Sequence, residues 1–238
     1  MRLEAGGNYA WIDDLSPTGR NGGDYRDLNL YGRLNYAIMR HESFAYAEYH
    51  YANREAEGIS SNLDHAHEVR VGVNGILPHG RVRRLVGDAW VGYRTEQYNA
   101  SSLAGSVGRG RDDNVSLITF GGDLTYKPSP YTSANLAFSH SNTFSAVSNF
   151  NLVDSVALGI TENLSHRLVG RLAASWSRIE PQGFTDGNTV ALGAGLRWVV
   201  SDNFDVTADY EFTHRFRGAG LEEGNGHRVA VGATLYVR

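Results

Sequence analysis

The sequence predicts an all-β fold: a closed antiparallel up-and-down transmembrane β-barrel of about twelve strands. Three observations predict it. Twelve segments alternate apolar and polar residues, with no helical period between them. Each segment is eleven to fourteen residues long. The connections between them alternate between short and long. Period two makes a strand with two unlike faces. Strands this long exceed the usual five or six residues and suit a tilted crossing of a bilayer. An even strand count, with short turns on one side and long loops on the other, is the outer-membrane pattern.

The strands are read in order, each by its apolar face. Strand one is 2–13, with Leu3, Ala5, Gly7, Tyr9 and Trp11. Strand two is 26–39, with Leu28, Leu30, Leu34, Tyr36 and Ile38. Strand three is 44–54, with Ala45, Ala47, Tyr49 and Tyr51; strand four is 66–77, with Val69, Val71 and Val73. Strand five is 83–96, with Leu85, Ala89, Val91 and Tyr93; strand six is 114–127, with Ile118, Phe120, Leu124 and Tyr126. Strand seven is 132–143, with Ala134, Leu136 and Phe138; strand eight is 151–163, with Val156, Leu158 and Ile160. Strand nine is 167–179, with Leu168, Leu172, Ala174 and Trp176; strand ten is 189–200, with Val190, Leu192, Ala194, Leu196, Trp198 and Val200. Strand eleven is 204–216, with Val206, Ala208, Tyr210 and Phe212. Strand twelve is 227–238, where Val229, Val231, Ala233, Leu235 and Val237 oppose Arg228, Ala230, Gly232, Thr234 and Tyr236.

Short turns are expected at 40–43, 78–80, 128–130, 163–166 and 201–203. Long loops are expected at about 14–25, 55–65, 97–113, 143–150, 180–188 and 217–226. Both termini then share the short-turn side, which would be the periplasm.

Composition agrees with one domain spanning 1–238. The hydrophobic fraction is 41% and the mean hydropathy is negative. No apolar run reaches the roughly 18 residues of a transmembrane helix, but a barrel alternates its apolar residues with polar ones and reads as hydrophilic on average. Gly 28 and Tyr 13 suit close strands and aromatic girdles. No cysteine is present, as suits passage through an oxidising compartment. The net charge of −4 and the lack of a basic block exclude nucleic acid as a partner. The start lacks the apolar core of a signal peptide, so the chain reads as a mature form with Met1 an added initiator.

If the apolar face meets lipid, its band is carried by Leu30, Leu34, Val71, Val91, Phe120, Leu136, Leu158, Leu172, Leu192, Leu196, Val231 and Leu235. The aromatic girdle is Tyr9, Trp11, Tyr36, Tyr93, Tyr126, Trp176, Trp198 and Tyr210, types that favour membrane interfaces. The alternative is a soluble sandwich or lipocalin-like barrel, with the apolar face inward. Strand length and the placement of the aromatics weigh against it.

The polar face would line the lumen with Arg33, Glu48, Arg70, Arg84, Asp88, Arg94, Arg171, Arg197, Asp205, Asp209, Glu211, Arg215 and Arg228. Opposite charges on facing strands pair; arginines left unpaired could set selectivity for ions or sugar acids. Small residues share this face, among them Gly72, Gly92, Gly121, Ala157, Gly159, Ala173, Ala191, Gly193 and Gly195. Twelve strands lie between the filled eight-stranded barrel and the wide channel of sixteen, so a narrow pore is expected.

Chemistry is sparse. His140 and Ser141 are adjacent in a strand and point to opposite faces, a poor arrangement for a hydrolase. His65 and His67 share a face as a metal pair would, without an evident third ligand. No phosphate loop, dinucleotide fingerprint or zinc motif occurs, so neither cofactor nor metal is expected.

Residues 126–216 carry a resemblance. They contain Tyr126-Lys127-Pro128-Ser129-Pro130-Tyr131-Thr132-Ser133, Ala137-Phe138-Ser139-His140-Ser141, Asn163-Leu164-Ser165-His166-Arg167-Leu168 and Asp205-Val206-Thr207-Ala208-Asp209-Tyr210-Glu211-Phe212. In these the chain resembles the β-barrel porin family of outer-membrane proteins found with exopolysaccharide export clusters. The resemblance implies a barrel in the outer membrane of a Gram-negative cell that passes a polysaccharide or small solutes. Its partners would be the lipid bilayer and the outer-membrane assembly machinery. Members look larger than this chain, so a reduced or truncated form is expected. The last strand also stops at inward Arg238, one residue short of an outward terminal aromatic, as a trimmed or engineered chain would.

The function expected is therefore a passive channel selected by pore width and lumen charge. The alternative is a non-conducting structural or translocation barrel of an export complex, or an engineered scaffold; an outer-membrane hydrolase is third.

Overall fold

The computed structural model describes residues 1–12, 25–39, 42–56, 62–76, 85–99, 114–144, 150–181, 186–216, 218 and 222–236. Twelve strands form one sheet: β1 (Arg2–Ile12), β2 (Tyr25–Met39), β3 (Ser43–Ala56), β4 (Asn62–Ile76), β5 (Leu85–Asn99), β6 (Asn114–Tyr126), β7 (Thr132–Phe144), β8 (Phe150–Asn163), β9 (Leu168–Pro181), β10 (Gly187–Ser201), β11 (Phe204–Arg215) and β12 (Gly224–Leu235). Their spatial order is their chain order, and every neighbouring pair is antiparallel. No helix occurs among the described residues.

All twelve expected strands are present, and most reach further than the alternation showed. β4 starts at Asn62, four residues early, because a register shift between Leu63 and His65 lets polar residues join the ladder. One end of the sheet has intervals 13–24, 57–61, 100–113, 145–149, 182–186 and 216–223; the other has 40–42, 77–84, 127–131, 164–167 and 202–203.

The tight turns are chemically specified. In the β6–β7 turn, Ser129 Oγ accepts from the amides of Tyr131 (3.1 Å) and Thr132 (3.0 Å). In the β8–β9 turn, the Ser165 and Leu168 backbones bond reciprocally. At the end of β4, Gly75 has φ +105° and a Cβ there would lie 2.1 Å from the Glu42 carbonyl oxygen, so only glycine fits.

The sheet curves strongly, and the curvature identifies its inside. Arg33 on β2 lies 3.5 Å from Asp88 on β5, three strands away. Three strand spacings are about 14 Å in a flat sheet, so these side chains converge on the concave side. The same parity carries Glu4, Glu48, Glu68, Arg70 and Arg94. The opposite parity carries the apolar residues, and it is the convex surface.

Burial is inverted relative to a water-soluble domain. Among the described residues, buried hydrophobics are only Tyr46 and Ala66, whereas Asn35, Ser43, Glu68, Glu96, Thr119, Asn142 and Asp205 are buried. All twelve residues assigned to the lipid band are exposed, from Leu136 at 36% to Val231 at 75%. A soluble barrel would reverse both lists. Trp176 and Trp198 stand near opposite ends of this band. The pairs Val190↔Trp176 and Leu168↔Trp198 set them eight register steps apart. That is about 26 Å along a strand, or about 20 Å after a tilt of ~40°, close to the height of an outer-membrane apolar band.

β1 and β12 are the two edges of this sheet. The pairing of β12 with β1 that closure requires is not among those of the described residues. Every residue of β12 is exposed.

If the convex face meets lipid, Leu192→Arg should cost about 2–4 kcal/mol. Gly193→Ser, its neighbour on the concave side, should cost far less, since its nearest neighbour atoms lie 3.7 Å from a Cβ placed there. Urea midpoints of protein refolded into vesicles measure both; equal costs would invert the faces.

Candidate functional site

The concave face is built of two unlike halves. On β1 to β4 the register sets Glu4, Arg33, Glu48 and Arg70 side by side, alternating in sign. Alternation across a ladder lets each charge meet opposite neighbours. Arg33 Nη1 lies 3.6 Å from Glu48, and Arg70 Nη1 lies 3.8 Å from Glu48. Glu48 also contacts His50, whose ring stacks on Tyr31 at 5.9 Å.

Glu68 is the centre of the next row. Arg70 grips it with two bonds, Nε to Oε1 at 2.8 Å and Nη2 to Oε2 at 2.9 Å. Thr119 Oγ donates to it at 2.6 Å, and Arg94 Nη1 reaches it at 3.4 Å. The Glu68 side chain is 2% exposed, so it needs these donors. Arg94 Nε also donates to Glu96 at 2.6 Å. Two aromatics cover the guanidinium groups: Arg33 lies 3.5 Å from the Tyr46 ring centroid and Arg70 lies 4.1 Å from that of Trp90. The Tyr46 hydroxyl donates to Asp88 at 2.9 Å.

The half formed by β7 to β12 is different. Its concave residues on β7 to β10 are mostly small: Ala137, Ser139, Ser155, Ala157, Gly159, Ala173, Ser175, Ala191, Gly193 and Gly195. Two adjoining hollows lie along them, of about 380 Å³ and about 270 Å³, sharing Ala173, Gly193 and Glu211. Arg171, Asp209, Glu211 and Arg228 border the larger one. Arg171, Asp209 and Arg228 form no ion pair or hydrogen bond with any described residue, and all three are exposed. A separate knot lies beside the β10–β11 turn: Arg197 binds Asp205 at 2.8 and 2.5 Å, and the Tyr236 hydroxyl donates to Asp205 at 3.1 Å.

The residues expected on the lumen side thus fall into two groups. Arg33, Glu48, Arg70, Asp88, Arg94, Arg197 and Asp205 are paired, whereas Arg171, Asp209, Glu211, Arg215 and Arg228 form no ion pair with a described residue. Arg84 lies outside the described residues. Of the expected girdle, Tyr9, Tyr36, Tyr93, Tyr126, Trp176, Trp198 and Tyr210 are exposed on the convex face, and the side chain of Trp11 lies outside those described.

Over residues 12–237 the chain matches the family described as "Putative beta-barrel porin 2". The chain belongs to this family. No curated protein sequence matches it. Among solved structures, this porin is similar to the FrpB iron transporter of Neisseria meningitidis, with a TM-score of 0.56 and 6% identity, covering 81% of this chain and 36% of that one. The chain therefore spans about a third of that transporter's length, and the likeness is one of fold. It also aligns with OmpT, an outer membrane protein of Vibrio cholerae, with a TM-score of 0.46 and 9% identity over 99% of this chain and 95% of that one. The family match and the twelve-stranded antiparallel sheet make the protein an outer-membrane-type β-barrel of the porin family.

Several residues of the concave face were missed in the sequence. Tyr31, Tyr46 and Trp90 share parity with Asp27, Glu48 and Asp88, so alternation alone could have found them. On the convex face His140 Nδ1 meets Asp154 at 2.5 Å, an orienting carboxylate on the next strand. Ser139 and Ser141 alternate to the opposite face, and Asn142 occupies the next position on the His140 side. His65 and His67 are 5.2 Å apart in ring centroids, with Tyr49 bonded to His67 at 2.6 Å; no group of three or more candidate ligands occurs among the described residues.

Glu68→Gln should destabilise the fold by about 2–3 kcal/mol. The range is set below that of a fully buried pair because Arg70 and Arg94 stay partly wet. Arg228→Ala should change stability by no more than about 0.5 kcal/mol. Urea titration in lipid compares them, and a large cost at Arg228 would mean that it has a structural partner.

Proposed function

We propose that this porin is a passive channel for small hydrophilic solutes or a glycan, set in the outer membrane and closed by pairing of β12 with β1. The observation that supports this most is the division of the concave wall. One half spends its charges on each other, while the other keeps two arginines and two carboxylates without ion-pair partners among the described residues, beside an open, small-residued hollow. Structural charges are paired, because a buried charge without a partner is costly. Charges held in water along a recess are free to act on a passing solute, as rings of charge do in selective pores. Arg171 and Arg228 would attract anionic groups; Asp209 and Glu211 would accept from hydroxyls.

In this reading the lipid bilayer and the assembly machinery are partners, and the end bearing 40–42, 127–131, 164–167 and 202–203 faces the periplasm with both termini. A second reading is a non-conducting barrel of an export complex. The dense Arg33–Glu48–Arg70–Glu68–Arg94 network favours it, because it fills space on one side of the lumen. Hydrolysis has less support: the His140–Asp154 pair has Asn142, and not a hydroxyl, beside it on its own face.

Planar-bilayer recording separates these readings. The channel should give stable current steps, and Arg171→Glu with Arg228→Glu should move the reversal potential toward cation preference. A folded preparation without steps would support the plugged barrel and contradict the channel.

A further inference from the structure

One seam of the wall is only half closed. β6 pairs with β7 from Tyr126↔Ala134 to Phe120↔His140, and no further among the described residues. Above that point β6 stays paired with β5 up to Asn114, and β7 stays paired with β8 up to Phe144. Asn114–Thr119 and Ser141–Phe144 thus form no ladder with each other among the described residues, while each keeps its outer neighbour.

A side chain passes through the parting. Asn142 alternates with His140 and Phe138 onto the convex face. Glu96 alternates with Arg94 onto the concave face. Yet the Asn142 amide donates to Glu96 Oε2, skipping β6 and joining opposite faces of the sheet. Two strand spacings are about 9.6 Å, and an unbroken wall forbids such a bond. Both residues are buried, Asn142 at 8% exposure and Glu96 at 4%. Asn142 Oδ1 accepts from no described group.

We infer that this seam is a lateral portal between the concave side and the bilayer, latched by Asn142 and Glu96, for a single-chain amphiphile with an uncharged, hydroxyl-rich head. The chemistry of the slit selects that class. Its convex lip is apolar: Ile118 is 62% exposed, Phe120 is 42% exposed, and His140 stacks on Phe120 at 5.0 Å. An alkyl chain rests there without losing contact with lipid. Its throat offers an acceptor, the Asn142 Oδ1, so the head must donate. Among the described residues the cation beside the throat, Arg94, is already held by Glu96 and Glu68, so an anionic head would find no uncommitted positive charge there. The slit narrows to its foot at Phe120–His140, one step from Gly121↔Ser139, and a Cβ at Gly121 would lie 3.0 Å from the Trp90 ring. Trp90 thus stands on the concave side of the foot and reports what comes through. The portal needs the convex face to meet lipid but needs no conducting lumen, so it can fail while the channel stands, and the reverse.

The experiment uses the whole chain with Trp11, Trp176 and Trp198 changed to Phe, refolded into phosphatidylcholine vesicles. The probe is dodecyl maltoside brominated on its chain. Trp90 fluorescence should fall saturably with probe, and Asn142→Ala should deepen the loss at a given concentration. Because the chain has no cysteine, Thr119→Cys with Ser141→Cys can stitch the seam where continued pairing would set them opposite. Oxidation should cut the quenching at least threefold and reduction should restore it, both read on the same folded sample. Equal quenching before and after oxidation would overturn the portal. So would equal quenching of Trp90 by two-chain brominated phosphatidylcholine, which would mean that the wall lies open to bulk lipid. The Asn142→Ala measurement needs no stitch, and unchanged quenching there would also contradict the latch.

Discussion

Glu68 shows the constraint on which the rest of the structure depends. A carboxylate removed from bulk water must be surrounded by donors or lose its charge. Here two guanidinium groups and a hydroxyl meet it, arriving from β4, β5 and β6. Those three strands must therefore curve around it in one register. A slip of one residue would turn Arg94 and Thr119 to the convex side and leave Glu68 without them. In a water-soluble protein the apolar core fixes register. In this one the concave charges do so, and the apolar residues are left outside for lipid to cover.

That inversion also explains how much was legible. Parity along each strand separated Leu192 from Gly193 and Arg70 from Val71, because period two needs no knowledge of neighbours. It placed all twelve strands. Strand ends were less legible: residues such as Asn62 and Asn99 extend the ladders beyond the apolar band, where no hydropathy signal marks them. Which charges pair was legible only in kind. The row of Glu4, Arg33, Glu48 and Arg70 follows from register, which a single strand does not reveal. The bond between Asn142 and Glu96 had no signal at all, since it breaks the alternation rule on which the reading rests.

In the proposed channel, the two halves of the concave wall divide structural from functional work. Arg33, Arg70 and Arg94 are held by carboxylates and covered by Tyr46 and Trp90, so their contribution is to rigidity. Opposite them Gly193, Gly195 and Ala173 withdraw side chains from the space, and Arg171, Asp209 and Arg228 stand over it in water. A channel needs both: a wall that holds its shape and a path with charges uncommitted to the wall. Membership in a porin family and the outward apolar band agree with this division, and the proposed portal at the β6–β7 seam would add a second route that meets the bilayer sideways.

A cysteine scan of β10 decides which face of the wall meets lipid. Single cysteines at successive positions from 189 to 198, in protein refolded into vesicles, would be treated with a water-soluble maleimide. Labelling should alternate, with Ala191, Gly193, Gly195 and Arg197 positions reactive and Val190, Leu192, Ala194, Leu196 and Trp198 positions protected. Reaction at the even positions with protection of the odd ones would contradict the account, because it would place the charged face in lipid and the apolar face in water.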